Sequence, residues 1–225
     1  MIIKEQYNIF HQIYSENFDL ENEKSNRMFH DCFNFELKDK TVLDIGCGNG
    51  VDLRKLAIQG AKVHGIDPSK EFIKEAQTNN PLGIFSEGVG EKLPFPDNYF
   101  DVITSKWAMQ TSPDVPKVLE EMARVLKKGG KLIYLSKHPI IQWHEKIRDY
   151  GHGVNYYQQM IVTSNIYDNK IVLKEPSHTI GEYLNADFIK NFEITNFIED
   201  TDFPASEQIN GDTYPTFFII EAIKK

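Results

Sequence analysis

A short apolar strand that runs straight into a glycine-rich loop constrains this chain more than any other feature. Residues 41–45 form the apolar run, and the loop Asp44-Ile45-Gly46-Cys47-Gly48-Asn49-Gly50 continues from it. Glycines at such positions let the backbone turn tightly and approach a ligand closely. A helix that begins after the loop offers free N–H groups. The pattern indicates an open α/β sheet with a ligand site outside the carboxyl end of its first strand.

Strands and helices alternate on both sides of this loop. We predict strands over residues 41–45, 62–66, 82–86, 100–105, 131–136, 193–199 and 216–223, and helices over residues 52–59, 70–78 and 113–127. Ser69 is the predicted N-cap of the helix that follows it, and Gly129-Gly130 is predicted to end the helix of residues 113–127. This order predicts one α/β domain over residues 1–225, with a doubly wound, Rossmann-like sheet of seven mostly parallel strands and helices on both faces.

The N-terminal segment is predicted to be a helical cap over residues 1–36, in two helical pieces that break near residues 17–22. It lacks the apolar stretch of a signal peptide, and no apolar run in the chain reaches transmembrane length. Cys32 and Cys47 are the only cysteines, so a disulfide framework is not indicated. We therefore expect a cytoplasmic protein that does not bind a membrane.

The alternation breaks between residues 138 and 178. Two stretches with β-forming composition, residues 160–167 and 170–174, are predicted to pair through a turn at Asp168-Asn169. Residues 179–191 then read as one helix. We interpret residues 138–178 as an insertion that covers the carboxyl edge of the sheet.

Charge and composition exclude two classes of ligand. The formal net charge is −8 and no cluster of Lys and Arg stands out, whereas proteins that hold nucleic acid present a basic face. The histidines lack ligand spacing and the cysteines are isolated, so we expect no metal site. Neither nucleic acid nor a metal ion is an expected partner.

An acidic residue follows the second predicted strand at the distance typical of ribose recognition. Asp67 lies 19 residues after Gly48, and a carboxylate there can accept hydrogen bonds from both ribose hydroxyls. NAD-binding enzymes share this arrangement, but their loop carries a further glycine where Val51 stands here. An NAD-type oxidoreductase and a non-catalytic cofactor-binding module nevertheless stay as alternatives.

Five stretches, in this order over about residues 40–137, resemble class I S-adenosylmethionine-dependent methyltransferases of the ubiquinone-biosynthesis, or methyltransferase type 11, group. The stretches are Val42-Leu43-Asp44-Ile45-Gly46-Cys47-Gly48-Asn49-Gly50, Gly65-Ile66-Asp67-Pro68-Ser69, Gly88-Val89-Gly90-Glu91-Lys92-Leu93-Pro94-Phe95, Asp97-Asn98-Tyr99-Phe100-Asp101-Val102-Ile103 and Glu121-Met122-Ala123-Arg124-Val125-Leu126-Lys127-Lys128-Gly129-Gly130. The resemblance implies an antiparallel C-terminal strand and S-adenosyl-L-methionine as cofactor, with S-adenosyl-L-homocysteine as product. It implies in-line transfer of a methyl group to a small molecule. The acceptor and the oligomeric state stay open.

The resemblance also implies roles for individual residues. Gly46, Cys47 and Gly48 would line the methionine part through their backbone, with Asp44 near its amino group. Asp67 would hold the ribose. The other implied contacts are Pro68 or Ser69 beside the adenine, Gly90 and Glu91 at the adenine edge, and Ser105 and Lys106 at the methionine moiety.

Val89 departs from the family pattern, because many relatives carry at that position an Asp that binds the adenine amino group. Glu91, or backbone groups around Gly90, would replace it. The N-terminal helices would close the site, with Tyr7 and Tyr14 as a cover. The remaining candidate there is Arg27, whose guanidinium suits the cofactor carboxylate.

The acceptor side is expected in the 138–178 insertion and in the loops after the fourth and fifth strands. A base is needed only where the acceptor loses a proton. The candidate bases are His138, His144, His152 and His178, for each of which a structural role is the alternative. The candidates for an aromatic wall are Trp107, Trp143, Tyr156 and Tyr157, which could equally pack in the core.

Overall fold

The computed structural model describes residues 3–17, 23–167, 169–202 and 211–225. The strands are β1 Thr41–Ile45, β2 Lys62–Asp67, β3 Ile84–Glu87, β4 Phe100–Lys106, β5 Leu126–Lys137, β6 Ile161–Ile166, β7 Ile171–Pro176, β8 Phe192–Asp200 and β9 Phe217–Lys224. The α-helices are α1 Ile3–Asn17, α2 Glu23–Asp31, α3 Val51–Ile58, α4 Lys70–Asn79, α5 Val115–Val125, α6 Pro139–Tyr150, α7 Ile180–Tyr183 and α8 Ala186–Asn191. Most of the predicted break at residues 17–22, and Asp168 of the predicted turn, lie outside the described residues.

Seven strands form one sheet in the order β3-β2-β1-β4-β5-β9-β8. The pairs among β1 to β5 are parallel, while β9 is antiparallel to both of its neighbours, β5 and β8. The predicted fold class is therefore confirmed, including the antiparallel C-terminal strand. β6 and β7 pair separately as an antiparallel hairpin.

Helices cover both faces of the central strands, and successive side chains of each strand point to opposite sides. Leu43 belongs to the core beneath α5, α7 and α8, whereas its neighbour Val42 belongs to the core beneath α3 and α4. A third cluster joins Phe29 of α2 to β5 and β9. This packing holds the carboxyl ends of β1, β2, β4 and β5 along one rigid edge.

Helix α5 is shorter than the predicted helix of residues 113–127. It begins after Asp114, whose carboxylate accepts a hydrogen bond from the Lys117 N–H at 3.0 Å. It ends at Val125 because Leu126 is already extended and pairs with Phe100. Gly129-Gly130 thus lies within the span of β5 and does not end the helix.

Two further predictions are corrected between residues 138 and 191. The insertion contains α6, which sequence periodicity did not reveal; the His138 ring caps its first turn, and Pro139 occupies its start. The predicted helix of residues 179–191 is two helices, since Leu184 leaves helical geometry and the Asn185 side chain caps α8. Among the helices of the described ranges, none is both long and apolar enough to cross a membrane.

Candidate cofactor and acceptor site

The glycine loop turns sharply at the end of β1, as predicted. Gly46 has a φ of +75°, a conformation that L side chains adopt only at a cost. Its N–H and that of Cys47 donate to the Ile66 carbonyl at 2.8 and 3.1 Å, which ties the loop to β2. A Cβ on Gly46 would lie 2.1 Å from the Ala108 Cβ. The loop after β4 therefore approaches this glycine too closely for any other residue.

Asp67 ends β2 and faces the loop. Its two carboxylate oxygens accept hydrogen bonds from the Gly48 N–H at 3.0 Å and the Ser69 N–H at 2.8 Å. Burial raises the pKa of Asp67 to about 6, against the lowering effect of these two bonds. Each oxygen keeps a lone pair for a further donor, so the carboxylate can receive a pair of ribose hydroxyls.

A cleft lies over the loop and is covered by α1. Its lining is formed by Tyr7, Tyr14, Ser15, Gly46, Gly48, Asn49, Asp67, Pro68, Phe72, Lys106, Trp107, Ala108 and Thr111. Five of the predicted cofactor residues are thus brought together. Helix α1 is held over the cleft by two contacts with α4 and its N-cap: His11 to Glu75 at 2.6 Å, and the Ser69 hydroxyl to Asn8 at 2.8 Å.

A second cleft continues from the first, with which it shares Gly46, Pro68, Ala108 and Thr111. It includes Gly88, Val89, Gly90 and Glu91, the predicted adenine edge. Val89 is 47% exposed. The Glu91 carboxylate accepts a hydrogen bond from the Ser112 hydroxyl. The predicted adenine residues therefore line one surface next to the loop.

Several predicted residues turn away from the cleft. The Asp44 carboxylate accepts a hydrogen bond from the Thr104 hydroxyl at 2.7 Å and borders a separate small cavity next to Asp52. Burial raises the pKa of Asp44 to about 7. The Ser105 hydroxyl is buried and donates to the Ile45 carbonyl at 2.9 Å, and the Cys47 thiol is buried with it in the core. These side chains support the loop, and only their backbones remain for the roles that the resemblance implied.

Arg27 is exposed on α2 and does not belong to the described lining of the cleft. The buried cation there is Lys106, whose Nζ lies 2.7 Å from Asp52 and 3.0 Å from the Asn26 side-chain oxygen. Burial opposes ionisation of Asp52, but Lys106 and His30 outweigh it and hold its pKa well below the usual range. Helix α2 buries Ser25, Asn26 and Phe29 and leaves Arg27 exposed, so the role of Arg27 at the cofactor carboxylate stays a prediction.

Trp107 supplies a donor that nothing in the described chain satisfies. Its indole nitrogen is buried and finds no hydrogen-bond partner among the described residues. Its φ of +55° places the ring at the wall of the cleft, opposite the loop. The unsatisfied indole N–H, which lies near the Lys106 ammonium, suits a ligand that carries a carboxylate. The space that the glycine at position 46 leaves above the loop suits a ligand that approaches the backbone closely.

A third cavity adjoins the cleft and shares Tyr7, Tyr14 and Trp107 with it. Its volume of about 150 Å³ is roughly ten times what one water molecule needs. One wall is aromatic, with ring centroids 5.5 Å apart for Tyr7 and Tyr14, and 5.6 Å apart for Tyr14 and Tyr167. The cavity is therefore large enough for a small molecule with an apolar body.

The opposite wall of this cavity carries a buried charged cluster, which we call the Lys137 cluster: Lys137, Glu145, Ser164 and Glu175. The Lys137 Nζ lies 2.6 Å from Glu145 Oε1 and 2.9 Å from Glu175 Oε1. The Ser164 hydroxyl donates to Glu175 Oε1 at 2.6 Å and also contacts Lys137. Burial, and then the neighbouring carboxylate of Glu175, raise the pKa of Glu145 to about 7 against the opposing effect of Lys137.

Three of the four histidines predicted as bases have structural partners. His138 Nδ1 accepts the Ile140 N–H at 3.0 Å, which leaves Nε2 to donate to Glu199 at 2.7 Å. His144 stacks on Tyr214 at a centroid distance of 4.2 Å. His178 lies 3.2 Å from both Glu182 and the Gln110 carbonyl. None of them belongs to the described lining of the third cavity.

Of the other acceptor-side candidates, Trp107 lines the third cavity and the rest lie outside its described lining. Trp107 lines the cavity, whereas Trp143 is 37% exposed and Tyr157 is 82% exposed. Tyr156 uses its hydroxyl to accept the Ile180 N–H at 3.1 Å, and His152 lies exposed in a turn. The aromatic wall is thus built from Tyr7, Tyr14 and Tyr167, together with Trp107.

Sequence reasoning missed the Lys137 cluster. Lys137 ends β5, and the carboxyl ends of strands in such a sheet are where ligands bind, so this residue carried a usable signal. Glu145 and Glu175 carried none, because they reach the site only through the placement of α6 and the β6–β7 hairpin. Within the described ranges, no group of three His, Cys, Asp or Glu could hold a metal ion.

Comparison with known proteins identifies the fold. The chain superimposes on a putative S-adenosylmethionine-dependent methyltransferase from Listeria monocytogenes with a TM-score of 0.73 and 22% identity, over 92% of this chain and 99% of that one. It also superimposes on geranyl diphosphate C-methyltransferase from Streptomyces coelicolor A3(2), with a TM-score of 0.67 and 14% identity, over 90% of this chain and 78% of the other. At these identities the likeness shows a shared fold.

The sequence profile of the methyltransferase domain family matches residues 43–134. Demethylmenaquinone methyltransferase from Symbiobacterium thermophilum is 35% identical over 152 residues, which cover 59% of each chain. This chain spans between 43% and 59% of the length of the first curated relatives it matches. Residues 43–134 therefore match the methyltransferase domain family, and the resemblance drawn from the five stretches is confirmed.

Proposed function

We propose that the chain transfers a methyl group from S-adenosylmethionine to a small molecule. The observation that carries this proposal is the continuity of the two cavities: a cleft over a glycine loop, with an acid that suits a ribose, opens through Tyr7, Tyr14 and Trp107 into a cavity of acceptor size. An oxidoreductase of the NAD type would need room for a pyrophosphate at the loop, where Val51 follows Gly50.

In this proposal the cofactor lies along the carboxyl edge of β1, β2 and β4. Asp67 holds the ribose hydroxyls, Gly90 and Glu91 border the adenine, and the methionine end lies between the glycine loop and Trp107. The Trp107 indole N–H is the donor for its carboxylate. The bound cofactor supplies an activated methyl group, so the protein's contribution is mainly alignment of the acceptor and exclusion of water.

The N-terminal helix and the 138–178 insertion serve as the cover of this site. Gln6 of α1 donates to the Lys174 carbonyl at 3.0 Å and accepts the Lys174 N–H at 2.8 Å, so α1 and the hairpin are joined above the cavities. Relatives named for demethylmenaquinone and geranyl diphosphate favour a small-molecule acceptor. The cytoplasmic location stays a prediction.

Calorimetry with purified protein tests the proposal. We expect S-adenosylhomocysteine to bind at a single site and NAD⁺ to give no heat of binding. NAD⁺ binding without S-adenosylhomocysteine binding would overturn the proposal in favour of an oxidoreductase. Cofactor binding that is never accompanied by formation of S-adenosylhomocysteine, across phenols, amines, thiols and quinols, would favour a non-catalytic binding module.

A further inference from the structure

The Lys137 cluster holds two acidic side chains and one basic side chain. One ammonium, that of Lys137, lies between two carboxylates, and the side chains of Glu145 and Glu175 are only 5% and 3% exposed. Buried charges are normally paired one for one, since desolvation penalises an unpaired charge. With both carboxylates ionised, the cluster is one positive charge short of neutrality.

One carboxylate oxygen of the cluster has no partner among the described residues. Glu145 Oε1 contacts Lys137, whereas Glu145 Oε2 is buried and has no hydrogen-bond partner among the residues that the structure describes. Glu145 also lines the cavity. A carboxylate on a cavity wall that keeps one oxygen unsatisfied can take a donor that a ligand brings.

We propose that the methyl acceptor is an amine on an apolar body, bound as an ammonium by the Glu145 carboxylate, and that Glu145 is the catalytic residue that removes its proton; this rests on the proposed methyl-transfer function. An ammonium satisfies the free oxygen and neutralises the cluster at the same time. A hydroxyl would do only the first, and an anionic acceptor would be repelled by Glu145 and Glu175. The faces of Tyr7, Tyr14 and Trp107 suit a cation through their negative quadrupoles.

The proton transfer is needed because an ammonium has no lone pair. Its proton passes to the Glu145 carboxylate, and the free amine lone pair then takes the methyl group. The N–C bond forms as the C–S bond of the sulfonium breaks, and that electron pair stays on sulfur. The products are the N-methylammonium, the neutral thioether and one proton, which leaves Glu145 for solvent.

The surroundings of Glu145 suit this exchange. Lys137 of β5 and Glu175 of β7 face it with opposite effects, and Arg148 of α6 adds a smaller stabilising charge while it pairs with Asp149 at 3.0 Å. The phenols of Tyr7 and Tyr14 lie on the α1 side, where burial raises their pKa values, so they stay neutral. Glu145, with its pKa raised to about 7, can therefore take up and release a proton near neutral pH. Lys137 is a positioning residue.

Thermal unfolding in the presence of saturating S-adenosylhomocysteine tests the acceptor class. The probes are two matched pairs, 2-phenylethylamine with 2-phenylethanol and n-hexylamine with n-hexanol. We expect the amine of at least one pair to raise Tm more than its alcohol. We expect Glu145→Gln to weaken binding of that amine by about ten- to a hundredfold, as for loss of a charged hydrogen bond. Glu120→Gln, on the exposed face of α5, is the matched control and should behave as wild type.

The proposal is overturned if neither amine exceeds its alcohol, or if Glu145→Gln keeps the wild-type preference. The wild-type comparison decides the matter even if the variant fails to fold. Calorimetry with S-adenosylhomocysteine alone separates the two proposals: no binding to wild type refutes the methyl-donor site, whereas binding without an amine preference refutes only the acceptor class.

The pH profile of methylation gives an independent readout of the base. For a bound amine, the wild-type rate should rise through a pH of about 7 and then level off. In Glu145→Gln the rise should move toward the pKa of the free amine, about 10. An unchanged profile would show that Glu145 does not take the proton.

Discussion

Replacement of Gly46 by alanine should damage this protein through one identified contact. At a φ of +75° an alanine loses about 1–2 kcal/mol relative to glycine. The added Cβ would lie 2.1 Å from the Ala108 Cβ, and forced overpacking of this kind costs about 1–3 kcal/mol. The two effects together predict a loss of about 2–5 kcal/mol in the free energy of unfolding, a large part of the roughly 5–15 kcal/mol typical of a domain.

The same geometry predicts a rescue. After Ala108→Gly, the nearest remaining atom to the new Cβ is the residue 108 Cα at 3.6 Å, an ordinary contact. The double variant Gly46→Ala/Ala108→Gly should therefore recover about 1–3 kcal/mol relative to the sum of the single variants. Gly48→Ala is the matched control, because Gly48 also has a positive φ, +51°, but nothing within 4 Å of its added Cβ.

Unfolding in guanidinium chloride, with the slope against denaturant checked for constancy, measures all four variants. Gly48→Ala should lose only the backbone part, about 1–2 kcal/mol. The reasoning is refuted if Ala108→Gly recovers nothing in the Gly46→Ala background. It is also refuted if Gly48→Ala is as destabilising as Gly46→Ala, since backbone strain alone would then account for both.

Three further predictions concern the carboxylates and the cap of α6. Asp67→Asn should weaken S-adenosylhomocysteine binding by about 1–3 kcal/mol in calorimetry, through lost charge-assisted hydrogen bonds to the ribose. Asp97→Asn, at an exposed position, is its control, and equal affinity of Asp67→Asn and wild type would show that Asp67 does not hold the ribose. The pKa of Asp44 is raised from 3.8 to about 7, so Asp44 stabilises the fold below pH 4 and loses that contribution as pH rises through 7. Between pH 5 and pH 8 the free energy of unfolding of wild type should therefore fall by roughly 2–3 kcal/mol relative to Asp44→Asn in denaturant unfolding. Parallel plots of unfolding free energy against pH for the two proteins would contradict a protonated Asp44. His138→Ala should lower the free energy of unfolding by about 0.5–2 kcal/mol through loss of the α6 cap, and His138→Asn should keep most of that stability, because Asn is a strong N-cap. Equal stability of the two variants would show that capping is not the cause.

The cofactor half of the molecule could be predicted because its signals are local. The bounds of β1 agree with the prediction, and Ser69 caps α4 by accepting the Phe72 N–H at 3.3 Å. Each depends on a few consecutive residues: an apolar run, a glycine at a positive φ, a hydroxyl before a helix. The position of Arg27 is not local in this sense, since its place on the exposed side of α2 depends on which face of that helix packs against β5 and β9.

Helix α6 could not be predicted because its buried face is polar. Gln142, Glu145 and Lys146 are buried, so the apolar spacing that announces a helix is missing. The Lys146 ammonium donates to three backbone carbonyls, of Asn155, Tyr156 and Gln158, between 2.6 and 3.2 Å. This helix is held by hydrogen bonds to a loop that follows it, and such partners become visible only once the chain is folded.

The same polar burial argues that the Lys137 cluster serves a ligand more than it serves the fold. A buried ion pair seldom stabilises a protein more than apolar residues of similar size would, because desolvation offsets the attraction. The cluster goes further, since it keeps two carboxylates for one ammonium and leaves Glu145 Oε2 without a partner among the described residues. Stability alone would favour removing that oxygen. An apolar replacement of Glu145 would remove the unsatisfied oxygen and, with it, a position where an incoming ammonium finds both a hydrogen-bond acceptor and a negative charge.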